Sequence, residues 1–520
     1  MLKQQLFATK HLGTLLAEAE GDNRLKRVLG PVTLTSLGVG AIIGAGIFVA
    51  TGAAAKNVAG PALMLSYVVA GLACIFAALC YAEFASMAPV AGSAYTYAYT
   101  TLGELFAWMI GWDLILEYAV GSATVANGWS GYFQAVLKKL GITLPTIFQG
   151  APIKFDHSAA WSDPTKWFSL TDSYINLPAV VVVFVVTLVL VKGISESASF
   201  NAVMVFIKVA AVVFVIVVGA FYVNSENWTP FAPFGYGGFS FFGTKEIPIS
   251  ETFSLQTHFG DWVEGRPVGM LAGAALIFFA YIGFDSVSTH AEEAKNPQKD
   301  VPIGIVASLI VCTLLYVAVV AVLTGMVPYT KIDENAGVSS AFKNVGIEWA
   351  EFIIAAAGVA GITSVLLVMM LSGPRVFLAM ARDGLVPNKF FADVHPTFRT
   401  PWKSTIAIGV FVSILAGLLP IDALLELANI GTLFAFVVVC AAVLIMRRTN
   451  PEAKRPFRCP LVPIVPILGI LLCLMLMMSL PVGNWLRLVV WMLIGLGIYF
   501  CYGRFHSTLG KELRAGGHHA

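Results

Sequence analysis

The chain has 520 residues, of which 58% are hydrophobic and only 12% charged, with a mean hydropathy of +0.81. A soluble globule carries about a quarter charged residues, so the composition points to a membrane protein with many spans. The formal net charge of +2 is too small to suggest nucleic acid or an acidic partner.

Residues 1–30 are polar and include Lys3, Lys10, Arg24, Lys26 and Arg27. They hold no apolar region followed by a small-residue cleavage site, so no removable signal peptide is expected. A membrane span needs about 20 apolar residues. Twelve stretches are candidates: 32–55, 62–87, 104–137, 177–192, 201–223, 269–290, 303–327, 350–381, 404–419, 421–446, 461–480 and 485–503. With the N-terminus inside, twenty Lys and Arg fall in cytoplasmic segments, ten outside and two, Lys208 and Arg375, within spans. That bias predicts both termini in the cytoplasm. Long external connections over 138–176, 224–268 and 328–349 are expected to pack over the outer mouth.

The first span carries Gly38-Val39-Gly40-Ala41-Ile42-Ile43-Gly44-Ala45-Gly46-Ile47-Phe48. Four glycines in mid-span either let helices pack closely or break the helix where its freed backbone groups face a cavity. The sixth span, which reads Gly273 to Asp285 in its middle, carries a second interruption. Counting five spans per half, the two occupy corresponding places. Paired interruptions of this kind point to a binding site near the bilayer midplane.

Ionisable residues inside spans are costly and are functional candidates. On the third span, Glu117 reads as polar lining of a pocket or as a helix–helix hydrogen bond. On the fifth, Lys208 lies about seven residues in, either buried or snorkelling to the surface. Glu83, Asp285 and Arg375 lie nearer span ends and read as inner-gate partners. The seven cysteines have no close pair spaced for metal or redox chemistry. With no phosphate loop, metal cluster or nucleophile arrangement, neither an enzyme nor a cofactor is expected.

These features, in order, resemble the amino acid–polyamine–organocation (APC) superfamily of permeases. Within it the chain is similar to a bacterial relative of the cationic amino acid transporters. The resemblance rests on Gly40 to Phe48, Pro89-Val90-Ala91-Gly92-Ser93-Ala94-Tyr95, and Gly111-Trp112-Asp113-Leu114-Ile115-Leu116-Glu117-Tyr118. Further along it includes Phe278 to Phe284, Glu292-Glu293-Ala294-Lys295-Asn296-Pro297, and Pro374-Arg375 with Ala381-Arg382-Asp383-Gly384-Leu385.

It implies an all-α integral membrane protein with twelve transmembrane helices and a five-plus-five inverted repeat. The first repeat would span 31–223 and the second 269–447, with peripheral helices in 461–503 and a cytoplasmic tail at 504–520. The implied localisation is the bacterial plasma membrane.

Amides of Gly44, Ala45 and Gly46 would receive a substrate carboxylate. Carbonyls of Ile42, Ile43, Phe279, Ala280 and Ile282 would receive its ammonium. Phe279 matches an aromatic that closes over substrate, and Lys208 a lysine that carries the coupling proton. Met369 stands where cationic-transporting relatives have a small polar residue, which favours small neutral substrates such as alanine. The implied function is import of L-amino acids by proton symport with alternating access.

Rivals are a cationic amino acid transporter, a sodium-coupled symporter using Thr363-Ser364, an exchanger, and a transporter-like receptor. Besides amino acid, proton and membrane lipid, a small membrane partner or sterol remains unspecified, and no nucleic acid is expected.

Overall fold

The computed structural model describes residues 2–10, 13, 29–87, 93–155, 168–193, 197–239, 245–246, 261–263, 266–291, 294–334, 337–398 and 400–515. Pro89 to Gly92, Glu292, Glu293 and the basic residues Arg24, Lys26 and Arg27 lie outside them.

Helix α1 (Pro31–Ile42) starts on a proline, whose fixed φ suits a first helical turn. After a break, the chain continues helically from Gly46 to Ala59 and stops at Gly60, whose φ of 60° precedes Pro61. Helix α2 (Leu63–Met87) follows, then α3 (Ala94–Thr101) and the 36-residue α4 (Glu104–Lys139). Next come α5 (Leu177–Lys192) and α6 (Ser197–Gly219).

The second part of the chain begins with the short α7 (Met270–Ile277), broken like α1. Then follow α8 (Pro297–Met326), α9 (Gly337–Asn344) and the 35-residue α10 (Glu348–Arg382). Helices α11 (Trp402–Leu418), α12 (Ile421–Thr449), α13 (Ile464–Met478) and α14 (Val482–Ile498) complete the set.

Among the described residues, seven helical stretches are long and apolar enough to cross a membrane, one of them running from Pro31 through α2. The apolar helices α5, α11 and α13 are shorter. Outward-facing Leu471, Val489 and Leu493 on α13 and α14 are about half exposed or more, as a lipid-facing surface requires.

Two small sheets depart from the all-α expectation. Strand β1 (Ile153–Phe155) pairs antiparallel with β2 (Phe168–Leu170), and β3 (Lys245–Glu246), β4 (Asp261–Val263) and β5 (Arg266–Pro267) form a second. Both lie in the long polar connections, where backbone groups gain partners by pairing with each other.

The breaks are held at the centre of the bundle by four packings: α8 on α1 and α2, and α10 on α4 and α6. Two buried acids pin the periphery to this core. Glu83 on α2 accepts from Arg447 at 2.9 and 2.7 Å, from Arg455 at 3.2 Å and from the Cys459 amide at 2.7 Å. Glu104, at the start of α4, accepts from Gln5 at 2.9 Å, Tyr499 at 2.7 Å and Tyr99 at 3.1 Å, and also from Ser507. The Glu83 carboxylate thus fastens α2 to the end of α12 and the loop beyond.

Candidate functional site: two facing helix breaks

The first break is written by Ile42-Ile43-Gly44-Ala45-Gly46. Helix α1 ends at Ile42, Ile43 is extended (φ −72°, ψ 104°), and helical geometry resumes at Gly46. The Ile43 amide still reaches Val39 O at 3.0 Å, and the Phe48 amide reaches Gly44 O at 3.2 Å. Between them, the amides of Gly44 and Ala45 make no hydrogen bond among the described residues. They point the positive end of the Gly46–Ala59 helical stretch into the break.

The glycines permit close approach. A Cβ on Gly44 would stand 2.5 Å from Val365 Cγ2 of α10, and one on Gly46 would strike the Ala280 backbone.

Lys208 occupies the carbonyl end of α1. It is fully buried, and its Nζ donates to the carbonyls of Gly40 and Ile43, the latter at 2.9 Å, and to Ser364 Oγ at 3.3 Å. The side chain turns inward, so the snorkelling alternative does not apply. An ammonium thereby ties α6 to α1 and α10 through three oxygens. Of the two hydroxyls singled out for sodium, Ser364 is one of these, whereas Thr363 accepts from Trp129 Nε1 at 2.9 Å.

The second break is closed differently. After α7, residues Phe278–Tyr281 form one tight turn, Ile282 is extended, and Gly283 adopts φ +115°. That conformation favours glycine, and a Cβ there would also lie 2.9 Å from Ala41 O. Asn429 of α12 donates to the carbonyls of Ala275 and Leu276, both at 3.0 Å. The Phe279 carbonyl accepts the Ile282 amide at 3.2 Å. Asp285 accepts from the Gly283 amide at 3.3 Å and from Tyr118 of α4. Asp285 thus serves as the cap of the break.

The two breaks meet. Gly46 abuts Ala280 and Gly283 abuts Ala41. Tyr316 of α8 joins them by donating to Ile42 O at 2.8 Å and to Ala280 O at 3.0 Å. Ile42, Ile43, Gly44, Ala45, Gly46, Ala280, Ile282 and Lys208 therefore converge.

Phe279 lies in the tight turn itself, 3% exposed. Met369 sits on α10 across from α4, its sulfur 3.2 Å from where a Gly121 Cβ would be. Glu117 lies one helical turn before Gly121, facing Asp285, Asp113 and Thr432. Neither carboxylate oxygen of Glu117 or Asp113 has a hydrogen-bond partner among the described residues.

Sequence reasoning missed Tyr316, Asn429 and Tyr118. An asparagine in mid-span was a usable signal, because such a polar group needs partners. Tyr316 carried none, being one of 15 tyrosines in the chain.

Buried helix breaks facing each other inside a bundle of apolar helices mark a membrane transport protein rather than an enzyme. The chain belongs to the amino acid permease family, whose model matches residues 29–500. It is 45% identical to the branched-chain amino acid permease BcaP of Bacillus subtilis, over 98% of this chain and 100% of the relative. It is 43% identical to the methylthioribose transporter of the same organism, over 97% and 99%. Cationic amino acid transporter 4, vacuolar, of Arabidopsis thaliana is 37% identical over 84% of this chain and 66% of the relative.

Proposed function

We propose that the protein imports small neutral L-amino acids, such as alanine, by proton symport with alternating access. The substrate sits between the two breaks. The single observation that carries this reading is the asymmetry of the backbone there: free amides at Gly44 and Ala45 beside carbonyls of Ile42, Ile43 and Ala280 that Lys208 and Tyr316 already engage. Amides at a helix start attract a carboxylate and carbonyls attract an ammonium. An α-amino acid carries both charges on one carbon, so the two breaks suit it without any charged side chain. Gly46 and Phe279 complete the backbone and aromatic sides, and Met369 limits the side-chain space together with Glu117.

The architecture assigned to this cycle is twelve transmembrane helices in the bacterial plasma membrane, both termini cytoplasmic. Two inverted repeats, 31–223 and 269–447, rock about the site, with 461–503 peripheral, 1–30 leading and 504–520 trailing in the cytoplasm.

Lys208 is the coupling group. Its ammonium occupies the oxygens that a sodium ion would need, which supports a proton over sodium. Losing the proton would release the α1 carbonyls, and gaining it would hold them, so proton binding favours one conformation.

A second substrate reading, a branched-chain amino acid, is favoured by the 45% identical relative bearing that name. Uptake into proteoliposomes, screened across amino acids with and without a proton gradient, decides both questions. Accumulation of alanine driven by the gradient and indifferent to sodium is expected. Uptake that needs sodium, or that occurs only against internal substrate, overturns the coupling.

A further inference from the structure

Away from the breaks, a groove of about 690 Å³ opens on the flank of the bundle. One wall is Leu79 of α2 and the other is Ile303, Val306 and Ile310 of α8. Ile303 and Ile310 are 43% and 45% exposed, so the channel faces outward along its length.

One end is roofed by Pro456 and Phe457. That roof is fixed. The Phe457 amide donates to Ser86 Oγ at 3.2 Å, and Ser86 Oγ donates to Phe457 O at 3.4 Å. Two residues earlier, Arg455 is buried against Glu83. The groove is therefore preformed, as ligand sites usually are.

Beyond its apolar walls, the groove is lined by Gln298 and Lys299 of the first turn of α8. Lys299 is exposed and has no ion-pair partner among the described residues. The nearby acid, Asp300, is buried and accepts the Asn296 amide at 3.1 Å. A helix start and an exposed ammonium both favour negative charge. An apolar channel that ends in such a pair fits one chemistry, a hydrocarbon chain joined to an anionic head.

We propose that this groove binds one anionic phospholipid, an acyl chain lying between α2 and α8 and the phosphate on Lys299. Basic pockets between spanning helices hold anionic head groups in this way. The reading is independent of the substrate and of the coupling ion, because no residue of the breaks takes part.

The test uses the full-length protein, delipidated in detergent and supplied with phosphatidylglycerol or with phosphatidylcholine of the same chains. Native mass spectrometry counts retained lipid and thermal unfolding reads its effect. One phosphatidylglycerol should be retained in preference to phosphatidylcholine, by about fivefold for a single head-group contact. Lys299→Glu should erase the preference, Lys299→Arg should keep it, and Ala307→Trp, which fills the channel, should expel the lipid. Equal retention of phosphatidylcholine, or an intact preference in Lys299→Glu, overturns the proposal. So does displacement of the lipid by millimolar glycerol phosphate, which would mark a site for the free anion.

Discussion

The two helix breaks solve one physical problem in opposite ways. A break in mid-helix frees amides and carbonyls that cost about 1–3 kcal/mol each if left buried and unpaired. At the second break the protein supplies partners from its own chain: Asn429 for two carbonyls and Asp285 for the Gly283 amide. At the first break only the carbonyl side is supplied, by Lys208 and Tyr316, and two amides are left over. A fully capped break is a fixed wall. A half-capped break is a place for something anionic, so under the proposed function the first break takes the substrate carboxylate.

The largest effect is expected from Lys208→Ala, which removes the ammonium that ties three helices. Proton-driven accumulation should vanish, while substrate affinity changes by no more than about tenfold, or 1.4 kcal/mol. Concentrative uptake that still follows the pH gradient would place the proton elsewhere.

Next is a valine at Gly44, which should abolish alanine binding because a branched Cβ crowds the two free amides. A Cβ there also comes within 2.5 Å of Val365, so the informative form is Gly44→Ala in a Val365→Ala background. Undiminished alanine binding there, measured by calorimetry, would move the carboxylate off the first break.

Asn429→Leu attacks the other side of the comparison. Two carbonyls lose their donor, which should destabilise the protein by about 2–4 kcal/mol in thermal unfolding, with substrate specificity unaltered. A changed substrate spectrum would mean that Asn429 shapes the ligand's surroundings as well as capping the break.

Tyr316→Phe is a milder cut, about 1 kcal/mol of stability for the lost hydroxyl, shared between the breaks. Met369→Ser should admit longer or cationic amino acids, and an unchanged uptake spectrum would remove Met369 from the pocket.

Much of this was legible in the chain. The glycine cluster of the first span has few uses at membrane depth, and its match with the stretch Gly273 to Asp285 at the corresponding place of the sixth span located both breaks. The depth of Lys208 in an apolar helix marked it because a charge there needs partners. What stayed hidden was which partners. Lys208 finds Gly40 and Ser364, which lie 168 and 156 residues away, and no local pattern encodes such distances. The same holds for Glu83, whose arginines are 364 and 372 residues along. The sheets in the long connections were missed because segments of two or three residues are too short to show an alternation of side chains. Tyrosine is ambiguous at any depth, since its ring suits a core whether or not its hydroxyl is used.

Tyr316 has a single proton to offer and two carbonyls to receive it, one from each half of the molecule. Its hydroxyl therefore acts like the beam of a balance. If one half tilts away, the proton passes to the carbonyl of the other half, and the donor is never stranded. A relative movement of the halves is then a change of acceptor for one hydrogen, with little enthalpy at stake. The infrared frequencies of the Ile42 and Ala280 carbonyls, labelled separately with carbon-13, would report which pan of the balance is loaded.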